Sequence, residues 1–454
     1  MKNPFIRAGV MGLGAIALSQ IASAQQPESG ADLVTVYEYL HAHPELSLQE
    51  ANSSAYLASE IEALGFTVTT GLGDDWVREK ALREQGVVRE NVGGYGVVAI
   101  LENGPGPTLL IRADMDGLPV PEQTGFPFAS EQTSTSWTGV EGPVMHACGH
   151  DVHMTSWLGT ARNLVERRDE WSGTLIMILQ PAEEIGLGAL AMLEDGLFDD
   201  YPQPDYNLAL HVNSSMPSGT LGYVGGYSMA NVDSVDIIVH GVGGHGAYPH
   251  TTVDPIVVAA HIITSVQTLV SRNVNPQDAA VVTVGSIVAG HKHNIIPDEA
   301  HLQLTVRSFS DEVRALLMDG IVRIANGQAE AFGAPPPDIT SDPDYTPSNY
   351  NDPDLSERMG RVFRDVLGDE SVSIMSPVMG GEDFSRYGRT GERIPGMLFW
   401  IGAVSEERYM EAQNGGLPLP SLHSGFFAPD YEATIETGVT AMTAAALDLL
   451  QPEE

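Results

Sequence analysis

Apolar and polar positions change rhythm along the chain. From Ala31 to Leu64 apolar residues recur at helical spacing. The pattern breaks at His41-Ala42-His43-Pro44-Glu45-Leu46-Ser47, and a second helix ends near Gly65. His41 and His43 flank the turn before Pro44 and are expected to take surface or capping roles rather than bind a ligand. Asp74 to Glu90 reads as a charged helical insertion. Gly96–Glu102 and Thr108–Ala113 read as strands joined by a Gly-Pro turn at 104–107. A helix is expected over Met154–Glu166, then a continuous apolar strand at Thr174–Gln180, a helix at Leu190–Leu197 and a strand at Tyr206–Val212. Strands alternating with helices imply an α/β sheet whose catalytic groups gather at strand ends.

After about Tyr227 the order becomes strand (Ser234–His240), helix (Pro255–Val270), two strands (Ala280–Val288, His301–Phe309), helix (Asp311–Ala331) and a short strand (Asp338–Thr340). That β-α-β-β-α-β order is ferredoxin-like. Pro335-Pro336-Pro337 marks its exit. From about Tyr345 the α/β character resumes, with helices near Leu355–Leu367 and Tyr431–Leu450. The expected organisation is a catalytic α/β domain with a mixed central sheet flanked by helices, formed by residues 25–227 and 342–454. A smaller α+β domain, 228–341, is inserted between them.

Composition narrows this picture. A chain of 454 residues is too long for one ordinary core. Its 22 Lys and Arg against 60 Asp and Glu give a formal charge of −38, which argues against nucleic acid and anionic membranes as partners. Lys2 and Arg7, the apolar run Ala8–Leu18 and Ala22-Ser23-Ala24 form an export signal, with cleavage expected after Ala24 and no membrane anchor afterwards. The mature protein is expected to be periplasmic or secreted. A single cysteine permits no internal disulfide. In an exported chain that thiol is an oxidation liability unless something, such as a metal, occupies it.

The chemistry concentrates at His146-Ala147-Cys148-Gly149-His150-Asp151-Val152-His153. Thiolate and imidazole bind borderline-soft divalent cations. Gly149 lets the backbone turn so that Cys148 and His150 face one centre. Glu183-Glu184 directly follows an apolar strand. One carboxylate there can bind a cation while the other holds water and accepts its proton. His211 at a strand end, His423 after a Gly- and Pro-rich loop, and Glu382-Asp383 in a Gly-Gly turn are weaker signals, the last pair equally consistent with helix capping.

Taken together, these segments resemble the M20 metallopeptidase and amidohydrolase family, in the branch of hippurate hydrolases, N-acyl-amino-acid amidohydrolases and auxin-conjugate hydrolases. The resemblance rests on Arg112-Ala-Asp-Met-Asp-Gly-Leu-Pro119, His146–Asp151, Gln180-Pro-Ala-Glu-Glu184, Leu210-His-Val212, Gly243-Gly-His-Gly-Ala-Tyr-Pro-His250, Asn294-Ile-Ile-Pro-Asp298, Gly380-Gly-Glu-Asp-Phe384 and Leu422-His423, in family order. It implies that Cys148, His150, Glu184, His211 and His423 ligate two divalent ions, with Cys148 as bridge; Zn, Mn, Co and Ni all remain open. Glu183 is then the general base and proton donor. The inserted domain mediates a homodimer, and its His245 reaches the partner's site to stabilise the oxyanion. Asn294 and Arg307 hold the substrate α-carboxylate, while Asp114, Asp116 and Asp151 stand behind the ligands. The implied reaction is hydrolysis of N-acyl amino acids. A dipeptidase or carboxypeptidase is the alternative, and a non-catalytic metal-binding homologue the more distant one. Asp114 stands where other branches carry a histidine, and the Asp74–Glu90 insertion and Ser424-Gly425 are unusual, so the pocket is expected to differ from relatives.

Overall fold

The computed structural model describes residues 26–391 and 393–451; the expected signal segment lies outside them. The chain begins with α1 (Leu33–Ala42) and α2 (Ala51–Ala63), then β1 (Thr67–Leu72), α3 (Asp74–Gln85), β2 (Gly96–Glu102) and β3 (Thr108–Asp114). Next come α4 (His150–Glu166), β4 (Thr174–Gln180), α5 (Gly188–Glu194), β5 (Tyr206–Pro217) and β6 (Leu221–Tyr223). A second unit holds β7 (Asp233–His240), α6 (Pro255–Thr268), β8 (Ala280–Ala289), β9 (Glu299–Ser308), α7 (Asp311–Ala331) and β10 (Asp338–Ser341). The chain returns with α8 (Pro353–Leu367), β11 (Val372–Ile374), β12 (Gly396–Val404) and α9 (Tyr431–Leu449). Local chemistry sets several starts. Asp32, Asp254, Ser310 and Asp352 each cap a helix through a side-chain oxygen, and Pro255 and Pro353 stand where no backbone donor is needed.

The main sheet runs β1-β2-β4-β3-β5-β12-β6-β11. Its centre, β4-β3-β5-β12, is parallel; β1 runs against β2, β2 against β4, and β6 against β12 but parallel to β11. Successive side chains point to opposite faces. Leu109, Ile111, Leu175, Met177, Leu208 and Leu210 meet α1, α2, α4, α8 and α9 on one face. Leu110, Ile176, Ile178, Ala209 and Leu398 meet α5 and the turn at 384–387 on the other. The mixed sheet between helices is the expected architecture. The second sheet, β8-β9-β7-β10, is antiparallel and backed by α6 and α7, which gives the ferredoxin-like order. By length and composition the helical stretch Pro255–Asn273 could cross a bilayer, but Val258, Ile262 and Val266 bury its inner side against that sheet.

Two differences from the sequence reading bear on the site. β12 was not anticipated. All nine of its residues are buried between β5 and β6, so it has no polar alternation to mark it. The helix expected from Met154 begins at His150 instead. Gly149, at φ +79°, turns the chain into it, and a Cβ there would lie 2.6 Å from Val212.

Candidate active site

The candidate groups converge where β3, β4 and β5 face the start of α4. Ligand atoms of Cys148, His150 and His211 lie within 4.8 Å of one another, as do those of Cys148, Glu184 and His423, and those of His150, Glu183 and Glu184. Cys148 belongs to both of the first two groups, the position of a bridging ligand. Cys148 Sγ is 3.6 Å from His211 Nε2, and His423 Nε2 is 3.4 Å from Glu184 Oε2. Two donors on one tetrahedral cation stand about 3.3–3.8 Å apart, from bond lengths of about 2.0–2.3 Å. His211 donates Nδ1–H to the Val212 carbonyl at 2.7 Å, which leaves Nε2 as the acceptor facing Cys148. His423 is brought in by backbone: its N–H bonds Ala147 O at 2.9 Å, and its φ is +65°.

The donor set fits divalent cations. Buried His150 Nδ1 and Nε2 and Glu184 Oε1 have no hydrogen-bond partner among the described residues, and such orphaned groups are costly unless something pairs them. The surroundings favour positive charge. Burial works against the His150 cation, yet Asp114 and Asp116 raise its pKa to about 10. Burial, Glu382 and Glu184 hold the Glu183 carboxyl well above its ordinary range, and burial lifts Glu184 to about 8. Burial also pushes the Cys148 thiol up. Bound cations would reverse these shifts and favour thiolate and carboxylate.

Carboxylates behind the cluster hold it in place. Asp116 accepts from the backbone N–H of Glu183 at 3.0 Å and of Glu184 at 3.1 Å, and from the Ser47 hydroxyl, while lying 3.4 Å from His150 Nδ1. Both Asp114 oxygens are engaged, one by Arg112 at 2.6 Å and one by His153 Nδ1 at 2.6 Å. His153 Nε2 accepts from the Val212 N–H at 2.9 Å, so His153 orients Asp114 through its other nitrogen.

The sequence reading passed over several supports. Arg112 is buried and pairs with Asp114, Glu382 and Asp383, balancing the negative side of the site. Its position two residues before Asp114 on one strand face was the available signal. Gln180 and Tyr387 extend that network. Glu382 both caps the turn at Phe384 N and binds Arg112, so its capping and site roles coexist. The expected surface or capping role of His41 is wrong. His41 is 1% exposed and bridges Asp151 at 2.7 Å and Glu122 at 2.9 Å. Asp151 and Glu122 lie far from it in sequence, so nothing local revealed the bridge. His43 caps α1, its Nδ1 at 2.6 Å from Tyr39 O.

A cleft of about 580 Å³ opens onto Cys148, Glu183, Glu184, His211 and His423, and Arg307 lines it too. Arg307 reaches only Thr305 Oγ1 and Met379 O, and among the described residues no carboxylate pairs with it. His245 and Asn294 lie elsewhere. His245 sits on an exposed two-stranded ribbon, paired with Ile295, Asn294 stands in the turn that leads into the ribbon's second strand, and neither lines the cleft. A second cavity of about 680 Å³ is lined by Phe126, Phe426, Phe427 and Tyr431 and contains no ligand cluster.

Comparison with known proteins agrees with this chemistry. The family model described as peptidase family M20/M25/M40 matches residues 110–426. The chain is 34% identical over 417 residues to thermostable carboxypeptidase 1 of Saccharolobus solfataricus, covering 91% of this chain and 94% of that protein. It is 36% identical over 382 residues to the N-acetylcysteine deacetylase of Bacillus subtilis, covering 83% and 90%. A solved structure of a Bacillus subtilis dinuclear metal binding peptidase of the M20 family superposes with TM-score 0.69 at 30% identity, covering 92% of this chain and 97% of that one. With Cys148, Glu183, Glu184, His211 and His423 gathered at one cleft and the match running through their segments, the chain belongs to the M20/M25/M40 peptidase family and is a hydrolase of that family.

Proposed function

We infer that this hydrolase is an exported, homodimeric amidohydrolase that cleaves N-acyl amino acids into a carboxylic acid and a free amino acid. The observation that carries the reading is Arg307, a cation without a carboxylate partner, in the same cleft as the Cys148–Glu184 cluster. A planar guanidinium matches a carboxylate, the group a free α-carboxyl end presents. Cys148, His150, Glu184, His211 and His423 would hold two divalent ions. When bound, these would polarise the scissile carbonyl and acidify water. Glu183, held by Asp116 through its backbone amide, takes the proton of the attacking water and returns it to the leaving amine. His245 of a second copy donates to the carbonyl oxygen as charge develops there, and Asn294, which lies beside His245, joins Arg307 at the carboxylate from that same copy.

Self-association is supported by surface chemistry. β8 is an edge strand whose Ile287 and Val288 are 50% and 65% exposed, beside exposed Ile256 and Val257 on α6. An uncovered apolar edge of this kind invites a partner strand from a second copy.

A carboxypeptidase or dipeptidase is the second reading, favoured by the name of the Saccharolobus relative. Both readings share the carboxylate end and differ on the acyl side. The test assays hippurate, N-acetyl amino acids, dipeptides and an amide lacking the carboxylate, before and after chelation and with Zn, Mn, Co or Ni restored. Chelation should abolish turnover, and Arg307→Ala should raise KM roughly 10–100-fold for carboxylate substrates only. Equal turnover of the carboxylate-free amide overturns the reading, while exclusive cleavage of dipeptides selects the peptidase. N-terminal sequencing of secreted protein tests export, and an intact Met1 refutes cleavage.

A further inference from the structure

β1 and β2 form an antiparallel pair in which Leu72 and Gly96 are direct partners. A turn of two to five residues is the usual way to close such a hairpin, yet residues 73–95 intervene. The excursion closes on itself. A Cβ on Gly94 would lie 2.2 Å from both Asp74 N and Gly73 C, and Asp74 Oδ1 accepts from Gly94 N at 3.0 Å. An excursion that returns to its origin is not needed to complete the sheet. What it touches is therefore informative.

It touches the active-site wall at two points. Val77, Ala81 and Val92 bury their side chains against Leu48 and Ala182 in a small separate core. Ala182 immediately precedes Glu183 and holds φ +54°, and Leu48 holds φ +66°. These are left-handed conformations that cost energy in residues other than glycine and persist only where the surroundings impose them. Buried Glu50 joins the two strained residues, accepting from Leu48 N at 3.0 Å and from Ala182 N at 2.7 Å. The second contact is a cation. Lys80, 3% exposed, reaches across to Asp344 at 2.8 Å and to Glu84 at 2.6 Å. Asp344 belongs to the linker that returns from the second unit. Two residues on, Thr346 pairs with Val232 through both backbone groups, at 2.8 and 3.2 Å. Thr346 also leaves no room for a side chain at Gly186, where a Cβ would lie 2.1 Å from its hydroxyl. Gly186, Val232, Thr346 and Arg307 line the cleft together.

We propose that the 73–95 excursion is a strut for this cleft, and that Lys80 is its positioning residue: the Lys80–Asp344 pair holds the linker, and through Thr346 the Gly186–Val232 wall against which substrate binds. Val77 and Ala81 brace the Ala182 turn that aims Glu183. The pair is partly buried, with Lys80 3% and Asp344 22% exposed, and removing the cation leaves Asp344 and Glu84 without their shared partner.

The inference rests on the amidohydrolase reading for its kinetic arm only. The experiment compares the full-length, metal-loaded wild type with Lys80→Met, Lys80→Arg and Asp344→Asn. Lys80→Met and Asp344→Asn should each raise KM for the best N-acyl amino acid roughly fivefold or more, with kcat within about twofold and bound metal unchanged. Lys80→Arg, which keeps the cation, should return KM to within about twofold of wild type. By amide hydrogen exchange, the segments 182–187 and 344–347 should exchange roughly tenfold faster in the two disrupting variants and at the wild-type rate in Lys80→Arg. Should Lys80→Met fail to fold, Asp344→Asn breaks the same pair from the other side. Unchanged exchange in a folded disrupting variant overturns the strut, as does a fall in kcat at constant KM. Faster exchange in a protein that hydrolyses none of the amides upholds the strut and removes the amidohydrolase reading instead.

Discussion

The ligand cluster and the ribbon carrying His245 place reactive groups by opposite means. At the cluster the core does the placing. Glu183 and Glu184 have side chains only 9% and 6% exposed, their backbone amides are held by Asp116, and Arg112 balances the charge behind them. His245 is exposed on a two-residue ribbon, fixed locally by the Ala247 N–H on its Nδ1. The difference teaches that one chain folds the candidate ligand cluster into its core by itself. The group proposed to meet the carbonyl oxygen stands on the surface, where a second chain would have to bring it into use.

The comparison breaks first at Glu183. Glu183→Ala should lower kcat by roughly 10²–10⁴ while metal content, measured by elemental analysis, stays at the wild-type value. Unchanged turnover removes the base assignment. At the ribbon, His245→Ala should lower kcat by roughly 10²–10³ with melting temperature and metal content unaltered. Mixing and re-equilibrating the two inactive variants should then recover about a quarter of wild-type activity, since half the dimers are mixed and each mixed dimer holds one complete site. No recovery in a sample shown to contain mixed dimers would mean that His245 does not act across chains. The smallest effect concerns the support under the cluster. Burial works against the His41 cation, but Asp151 and Glu122 raise its pKa from 6.5 to about 9. The stability these pairs supply is complete below about pH 6.5 and is lost as the pH rises through about 9. The melting temperature of His41→Gln should fall furthest below wild type near pH 6, and the gap should narrow above about pH 9.

Part of the site was legible because its residue types are rare together: Cys148 and His150 lie two apart beside His146 and His153, and Glu183-Glu184 closes an apolar strand, whereas His211 and His423 were legible only through the family resemblance. The supports were less legible. Arg112 and His41 look like ordinary surface residues until the fold buries them, and burial of a charge is decided by partners distant in sequence. β12 was missed for the complementary reason, since a strand covered on both faces carries no period.

The sequence by itself determined the dense Cys148–His150 stretch, the α/β rhythm and the inserted β-α-β-β-α-β unit, because residue chemistry and hydrophobic period are local properties of the chain. Tertiary structure alone decided that Cys148 is shared between two ligand groups, that His41 is locked between carboxylates, that Arg307 faces the cleft while His245 does not, and that residues 73–95 fold back to brace it. Each of these depends on distances between segments far apart in the chain, and those distances exist only once the core has packed.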